Sequence, residues 1–450
     1  MRKFLTSIVT GTALAAILAG GALAQAVAPA PQPVPVVPAA DPLPGTRALL
    51  DGYVTSGKMP GIVAAFGVGD KATIFLAAGK VGTGAGAAAA GPDSLWRVYS
   101  MTKPITAMAA MILIEDGKLK LDQPVSDILP AFKNMRVMDD ANGSVDATHP
   151  AKAQITIRHL LTHTAGLGYD LGQPVTVKGS LLDRYRTLGI NPAQVSRATE
   201  LSFRTIRPAT LQAFATKVAA QPLLTEPGAK WSYSIGLDVL AAVVEKAADM
   251  PFDKFVQTRL FDPLKMKSSY WRVPASEAGR FATNYAFLPG GDKTIPLDPA
   301  ATSVYLDAPS FPYGGAGLVM SASDYDRFLH MLQNYGELDG VRVMKAETAK
   351  LAMSDLLPPG VIFGALPGGT GGTMNLRMGF GAGGSVILED HEGSVGAGTY
   401  GWGGAAGTIA YVNPIKKLRG TVMVNYFPGE KWPVRAETTK AFLSDIAGYK

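Results

Sequence analysis

The strand-like segments of this chain lie towards its two ends, with a helical middle between them. Two such runs, 61–68 and 72–78, are separated by Gly69-Asp70, which is a hairpin signal. Further strand-like runs near the C-terminus are 378–389, 406–412 and 418–425. Between about 120 and 310 the pattern is helical, without strand alternation. We therefore predict an α+β fold in which both chain ends build one antiparallel β-sheet, flanked by helices, with an inserted mainly helical subdomain.

Apolar residues at helical spacing predict where the helices lie. The predicted segments are 46–57, Ser100 to about Glu115, 158–163, 211–220, 235–248, 252–260, 322–334, 346–356 and 433–446. Gly117 is expected to stop the second of these helices. The stretch 170–208 is irregular and polar in its sequence, so no helix is predicted there.

The N-terminal residues 1–24 have the three parts of a secretory signal peptide. Two basic residues precede an apolar stretch from Phe4 to Leu18, and the segment ends in an A-x-A cleavage pattern. Cleavage near Ala24 predicts an exported protein, periplasmic or secreted, whereas an uncleaved segment would be a membrane anchor. Residues 25–45, rich in Pro and Ala, are predicted to be an extended linker before one domain at 46–450.

Composition excludes several classes of protein. The chain has 450 residues, of which 47% are hydrophobic and 17% charged, so it can bury a large core. Its formal charge of +6 is scattered along the sequence, which indicates no nucleic-acid partner and no membrane-binding patch. It contains no cysteine, so neither a disulfide framework nor a lipid-attachment cysteine exists.

The first candidate functional stretch begins at Ser100. An apolar run precedes Ser100, which lies at the start of a predicted helix. Pro104 lies in an early turn of this helix, where the missing backbone N–H of proline costs little. Lys103 lies one turn further on, so both side chains share a helix face. A desolvated lysine amine can take the proton of a serine nucleophile. The alternative reading of Ser-x-x-Lys is a helix cap followed by a solvated lysine.

The second candidate is Tyr233, within the stretch Trp231 to Asp238 that precedes an apolar helix. A phenol beside a lysine cation can pass a proton from a serine to a leaving group. The alternative is that Ser232 or Ser234 caps the helix and Tyr233 packs as an ordinary aromatic residue.

The third candidate is the glycine-rich stretch around Trp402, from Tyr400 to Thr408. Glycines on a strand let a substrate approach the backbone closely, and such a strand can present an N–H to a developing oxyanion. A bent strand with a packed indole ring would have the same sequence.

Three further patterns are rejected. His159 and His163 are four residues apart, but Leu160 stands where a zinc peptidase would have glutamate, so we predict that they pack. The pattern G-x-G-x-x-G at 379–384 is followed by a strand-like run, whereas a dinucleotide site needs a helix. No G-x-S-x-G elbow is present, so an α/β-hydrolase would lack its nucleophile.

Taken together, the three candidate motifs resemble the serine hydrolases of the class C β-lactamase and penicillin-binding-protein fold. The closest resemblance is to their carboxylesterase branch, the family VIII esterases. It covers about residues 46–445 and also includes Ile155 to Leu167, Gly314 to Leu318, Ser323-Asp324-Tyr325 and Gly379-Phe380-Gly381.

The resemblance implies that Ser100 is the acylated nucleophile and that Lys103 and Tyr233 form the proton-transfer pair. It implies substrate and oxyanion contacts from Trp402, Gly403, Gly404, Ala405 and Ile235, with the backbone N–H groups of Ser100 and Ala405 as the oxyanion hole. Water would then cleave the acyl-enzyme. The resemblance implies no metal and no organic cofactor.

Two departures from the β-lactamases of this fold concern the substrate. Trp402 stands where they carry a lysine that helps to hold the drug's carboxylate, and Ile235 stands where they carry an asparagine. Both changes favour small hydrophobic esters as the small-molecule substrate. The 170–208 region is expected to form part of the acyl-pocket wall.

Two other functions are alternatives to an esterase. The same machinery could serve a β-lactamase or a D-amino-acid peptidase or amidase. A non-catalytic protein that binds penicillin or peptidoglycan would also keep this fold.

Overall fold

The computed structural model describes residues 41–170, 177–364 and 376–448. The predicted signal peptide, residues 1–24, and most of the predicted linker lie outside the described residues. Within the described ranges, no helix is both long and apolar enough to cross a membrane.

The described helices and strands follow one another from Pro44 to Ala447. The α-helices are α1 (Pro44–Thr55), α2 (Thr102–Glu115), α3 (Ile157–Leu161), α4 (Leu181–Thr187), α5 (Arg197–Phe203), α6 (Leu211–Ala219), α7 (Gly236–Ala248), α8 (Phe252–Val256), α9 (Ala322–Gln333), α10 (Ala346–Ala352) and α11 (Val434–Ala447). The strands are β1 (Gly61–Val68), β2 (Ile74–Gly79), β3 (Leu95–Arg97), β4 (Arg136–Met138), β5 (Thr148–Pro150), β6 (Ser269–Tyr270), β7 (Asn284–Phe287), β8 (Thr294–Asp298), β9 (Val319–Ser321), β10 (Glu337–Leu338), β11 (Val341–Arg342), β12 (Met378–Phe380), β13 (Ser385–Ile387), β14 (Tyr400–Gly403), β15 (Ile409–Asn413), β16 (Leu418–Met423) and β17 (Tyr426–Phe427).

The main sheet joins the two ends of the chain. Its strand order is β12-β13-β14-β15-β16-β1-β2, and every neighbouring pair is antiparallel. The N-terminal β1 lies between β2 and the C-terminal β16, with Val63 opposite Met423. Burial on both faces explains why β1 is an almost continuous apolar run. The predicted α+β fold, with an antiparallel sheet built from both chain ends, is confirmed.

One face of the sheet is covered by the first and last helices. Phe66 of β1 stacks on Phe442 of α11 with ring centroids 4.4 Å apart. Helix α1 begins at Pro44, inside the predicted linker, and Leu43 at its N-cap position provides no side-chain cap. The Asp445 carboxylate of α11 accepts hydrogen bonds from the backbone N–H groups of Gly45 and Thr46 instead, at 3.0 and 2.7 Å. The two chain ends therefore stabilise each other.

Helix α2 lies in the largest apolar cluster, on the other face of the sheet. Every residue from Thr102 to Leu113 is buried, as expected for a helix that is apolar nearly all round. The helix packs against α7 and α10. It ends at Glu115, and Gly117 adopts a left-handed φ of 74°, so the predicted stop is confirmed.

The predicted absence of strands between about 120 and 310 is wrong. Strands β4 to β8 lie in this region, and β6 pairs with β9 whereas β7 pairs with β8 and β17. These strands have two to five residues each. Segments this short hold too few residues for an alternating pattern. Two of them, β6 and β7, also depend on the distant partners β9 and β17.

The region 170–208 is more regular than its sequence indicates. Its described part contains α4 and α5, whose first turns are capped by the side chains of Ser180 and Ser196. Each helix has only seven residues and buries one or two of them. Apolar periodicity is therefore absent, and the serine caps were the available signal.

Candidate active site

A strained turn places Ser100 at the start of α2. Strand β3 ends at Arg97, and a 3₁₀ turn, Tyr99–Met101, leads directly into the helix. Tyr99 has a φ of 41°, a left-handed conformation that costs a bulky residue on the order of 1–3 kcal/mol. Its hydroxyl accepts a hydrogen bond from Asn284 Nδ2 at 3.0 Å, and its ring packs on Phe427. These contacts hold the residue that precedes the predicted nucleophile.

The Lys103 side chain is fully buried and reaches back towards Ser100. Its Nζ donates to Ser100 Oγ at 3.1 Å and to the Gly315 carbonyl at 2.9 Å. The Tyr169 hydroxyl lies 3.4 Å from the same nitrogen. Lys103 is therefore held among oxygen atoms. The alternative interpretation, a helix cap followed by a solvated lysine, does not describe this side chain.

Tyr233 lies on the loop before α7. Its hydroxyl donates to Ser100 Oγ at 2.8 Å, and its ring centroid lies 4.7 Å from Lys103 Nζ. The structure thus brings Ser100, Lys103 and Tyr233 together, although Tyr233 is 133 residues from Ser100. The hydroxyl of Ser100 accepts from both other side chains.

The strand that carries Trp402 borders the same site. Trp402 Nε1 lies 3.4 Å from the Tyr233 hydroxyl, and the two rings are 5.7 Å apart. Beyond β14, Gly404 packs so closely on the turn before Ser100 that a Cβ there would lie 2.3 Å from the Val98 carbonyl oxygen. Ala405 follows and is exposed. Within the described part of the chain, the N–H groups of Ser100 and Ala405 donate to no protein acceptor.

Ile235 is placed differently from the sequence expectation. Its side chain is fully buried in the largest apolar cluster, and the residue occupies the N-cap position of α7. Direct contact with a substrate, as the resemblance implied, does not fit this burial. The side chain instead packs in the core because the apolar face of α7 begins there.

Asp238 is a buried carboxyl group that sequence reasoning missed. Its Oδ1 accepts the Gly315 N–H at 2.9 Å, and the Gly315 carbonyl in turn accepts from Lys103. Burial raises the pKa of Asp238 to about 7, although the Lys103 cation and the Gly315 N–H act in the opposite direction. A Cβ on Gly315 would lie 2.4 Å from Asp238 Oδ2, so only glycine fits between this carboxyl and Lys103. The Gly314-Gly315 pair was the available signal.

The raised pKa of Asp238 predicts a pH-dependent stability. Between about pH 4 and pH 7 the unfolded chain releases this proton while the folded chain keeps it. Stability therefore falls as pH rises through this window, by a few kcal/mol in order of magnitude, and stays low above it. We therefore expect the free energy of unfolding of Asp238→Asn, relative to that of wild type, to be higher at pH 8 than at pH 4.5. Urea unfolding of both proteins at the two pH values measures this difference. An equal difference at the two pH values would contradict the assignment.

Aromatic side chains form a wall behind Tyr233. Trp231, Phe380 and Trp402 make one buried cluster, with Tyr233 and Phe363 packed against it. His163 lies behind the Tyr233 ring at 4.6 Å, and its Nδ1 contacts Ser234 Oγ at 3.1 Å. Burial holds the pKa of His163 well below its ordinary value, so this imidazole is neutral. The site is therefore apolar on the side of Tyr233.

Tyr169 is another residue that the sequence analysis did not identify. Its ring lies 4.9 Å from that of Tyr233, and burial together with Tyr233 raises its pKa well above the ordinary value. It is consequently a neutral phenol beside Lys103. Tyr169 follows the Ile155 to Leu167 segment in the sequence, but nothing in that position indicates contact with Lys103.

The two histidines considered as metal ligands make other contacts. His159 Nδ1 accepts from the Thr156 N–H in a capping box at the start of α3, and His163 contacts Ser234. Across the described ranges, no three His, Asp or Glu side chains are grouped in a way that could hold a metal ion.

Comparisons with known proteins show which family and fold this chain shares. The Beta-lactamase family model matches residues 46–443. Esterase EstB of Burkholderia gladioli is 31% identical over 352 residues, which cover 74% of this chain and 78% of EstB. A mutant of simvastatin synthase (LovD) from Aspergillus terreus superposes with a TM-score of 0.71 at 25% identity, covering 91% of this chain and 98% of the other.

A further solved structure is that of EstCE1, described as a hydrolase with promiscuous acyltransferase activity. It superposes with a TM-score of 0.67 at 25% identity and covers 89% of this chain and 98% of its own. The relatives are thus esterases and acyltransferases that share one fold. Because the family match spans the whole sheet and every helix that borders Ser100, this chain belongs to the β-lactamase family of serine hydrolases and is an enzyme of that class.

Proposed function

We propose that this protein hydrolyses small carboxylic esters through an acyl-enzyme on Ser100, with Lys103 and Tyr233 as the proton-transfer pair. The observation that carries the proposal is the convergence of Lys103 Nζ and the Tyr233 hydroxyl on Ser100 Oγ, at 3.1 and 2.8 Å. If Ser100 only capped a helix, it would need neither the Lys103 amine nor the Tyr233 hydroxyl as a partner.

Acylation uses both members of the pair. Ser100 Oγ attacks the ester carbonyl carbon as its proton passes to the Lys103 amine. The carbonyl oxygen becomes an oxyanion that faces the N–H groups of Ser100 and Ala405. When the tetrahedral intermediate collapses, the departing alkoxide takes the proton of the Tyr233 phenol, and the alcohol leaves.

Deacylation reverses these proton transfers. Water enters in place of the alcohol and attacks the acyl carbonyl as the Tyr233 phenolate takes its proton. Ser100 then leaves the second tetrahedral intermediate and receives a proton from the Lys103 ammonium. Every group returns to its starting state, so no other proton donor is needed.

The surroundings of Tyr233 favour a neutral, apolar ester. Trp402 provides an indole ring where the related β-lactamases place a cation, and the buried Phe380 and Trp231 pack behind it in the same apolar cluster. A carboxylate-bearing substrate would lose a charged partner here, whereas an alkyl or aryl group would gain apolar contact. The relative EstB, an esterase, supports the same substrate class.

Transfer of the acyl group to an alcohol is the second candidate function. An apolar alcohol that packs on the aromatic wall would compete with water for the acyl-enzyme. The names of two structural relatives, an acyltransferase-active hydrolase and a simvastatin synthase, support this candidate. Butyl ester formation in the presence of 1-butanol would measure it.

A substrate panel tests the proposed class. We expect kcat/KM for p-nitrophenyl butyrate to exceed that for nitrocefin by at least about 10-fold, because the carboxylate has lost its cation. The matched control is Trp402→Lys, which should raise kcat/KM for nitrocefin relative to kcat/KM for p-nitrophenyl butyrate. Nitrocefin turnover that matches the ester would assign the protein to the β-lactamases, and preferred cleavage of a D-alanyl-D-alanine peptide would assign it to the peptidases.

Export after cleavage near Ala24 is proposed on the sequence of residues 1–24. The mass of the mature N-terminus, measured on protein from the producing cell, tests it. A retained segment would indicate an uncleaved anchor.

A further inference from the structure

Arg435 occupies an unfavourable place for a cation. It is the second residue of α11, and the N-terminal end of a helix repels positive charge. Its side chain is nevertheless only 16% exposed, with the Glu430 carboxylate 3.7 Å from Nη1. A buried cation at this end of a helix needs specific partners that compensate for the loss of water.

Those partners are backbone carbonyls at the end of β14. Arg435 Nη2 donates to the Gly404 carbonyl at 2.5 Å, and Nε donates to the Thr408 carbonyl at 3.2 Å. The Gly404 N–H also donates to the Thr408 carbonyl, at 2.9 Å, and the Gly407 N–H donates to that of Gly404, at 3.1 Å. The guanidinium therefore spans the turn between β14 and β15.

The Gly404 carbonyl belongs to the same planar peptide as the Ala405 N–H. In a trans peptide these two groups point in opposite directions, so a hydrogen bond that holds the carbonyl also sets the direction of the N–H. A donor on the carbonyl oxygen additionally polarises the peptide and strengthens its N–H as a donor. The Ala405 N–H has no protein acceptor among the described residues.

This peptide also lies against the nucleophile turn. Gly404 is packed on the Val98 carbonyl, two residues before Ser100, and a Cβ on Gly429 would lie 2.4 Å from the Ala405 carbonyl oxygen. The turn is thus confined on two sides, and Arg435 holds it from a third.

We propose that Arg435 is a positioning residue for the oxyanion hole: it orients the Gly404–Ala405 peptide so that the Ala405 N–H faces the acyl carbonyl oxygen. The inference rests on the proposed acyl-enzyme mechanism. Arg435 acts on the oxyanion hole through the peptide that it holds, and its charge also interacts with Tyr233.

The test compares Arg435→Met and Arg435→Lys with wild type on p-nitrophenyl butyrate. We expect kcat to fall about 10- to 100-fold in Arg435→Met with KM changed by less than about 3-fold, because the donor serves transition states more than bound substrate. Arg435→Lys, which can hold one carbonyl, should recover part of the loss. The matched control is Arg342→Met, because Arg342 also holds two backbone carbonyls, those of Tyr335 and Met344, in a distant turn.

An infrared readout separates positioning from mere folding support. The acyl-enzyme made from ¹³C-carbonyl p-nitrophenyl butyrate, observed after rapid mixing, should show its carbonyl band at higher frequency in both Arg435 variants. An unchanged band with reduced kcat would overturn the proposal and leave Arg435 a structural tie. If Arg435→Met fails to fold, the Arg435→Lys band decides by the same criterion. Failure of the proposed function would look different, because wild type itself would then form no acyl-enzyme.

Discussion

Replacing Ser100 by alanine is expected to lower kcat for p-nitrophenyl butyrate by at least about 10⁴-fold while the protein stays folded. The change removes the atom that forms the acyl bond, and neither Lys103 nor Tyr233 can replace it as the positioned nucleophile. Ser100 is 9% exposed, and alanine fits the same turn, so little packing is lost. Steady-state rates and a thermal unfolding curve measure the two effects.

Ser232→Ala is the matched control for this experiment. Ser232 lies on the loop that carries Tyr233, but the side chains hydrogen-bonded to Ser100 Oγ in the described structure are those of Lys103 and Tyr233. We expect this variant to retain wild-type turnover and labelling by a fluorophosphonate probe, and Ser100→Ala to lose both. Ester hydrolysis that survives in Ser100→Ala would disprove the nucleophile assignment. Stable labelling of wild type without turnover of any substrate would instead indicate the non-catalytic binder.

The second large effect is expected for Lys103→Met, which should lower kcat about 10³-fold. Methionine fills most of the lysine volume but can take no proton from Ser100. The Gly315 carbonyl also loses its donor, so we expect a stability loss of about 1–3 kcal/mol, which leaves the variant folded at 25 °C. Rates and urea unfolding on the same preparation separate these two losses.

Lys217→Met is the control. Like Lys103, Lys217 donates to backbone carbonyl groups, in its case those of Leu188 and Ile206, but in the described structure it makes no hydrogen bond to Ser100. The Lys217→Met variant should lose stability while its kcat stays near wild type. Wild-type turnover in folded Lys103→Met would remove the amine from the mechanism.

Tyr233→Phe examines the other half of the proton-transfer pair. If the two side chains act as one unit, the double variant with Lys103→Met should be hardly slower than the slower single variant. Multiplied losses in the double variant would show that the two groups act independently.

Local sequence signals predicted the elements that depend on local interactions. The bounds of β1 and the end of α2 agree with prediction because an apolar run, a Gly-Asp turn and a left-handed glycine each act within a few residues. Strands β4 to β8 were not predicted because each has only two to five residues, too few for an alternating pattern, and because β6 and β7 also pair with strands far along the chain. The seven-residue helices α4 and α5 were not predicted because so few of their residues are buried.

The residues of the candidate site also fall into those that local sequence predicted and those that it did not. Ser100 and Lys103 could be paired from sequence because a spacing of three fixes one helix face. Tyr233 and Trp402 were found by resemblance, since no local rule brings them to Ser100. Asp238 had only the indirect signal of the Gly314-Gly315 pair, and Arg435 had none, because an arginine on a terminal helix looks like an ordinary surface charge.

The sequence alone thus determined which chemistry this chain can offer: a serine and a lysine on one helical turn, in a chain whose two ends supply the strands of the main sheet. Only the tertiary structure decided which distant groups meet there, with Tyr233 donating to Ser100, Asp238 holding Gly315 beneath Lys103, and Arg435 holding the peptide of Ala405. The reason is that a helical turn is set by hydrogen bonds four residues apart, whereas burial of polar groups is set by whatever the whole sheet and its helices enclose.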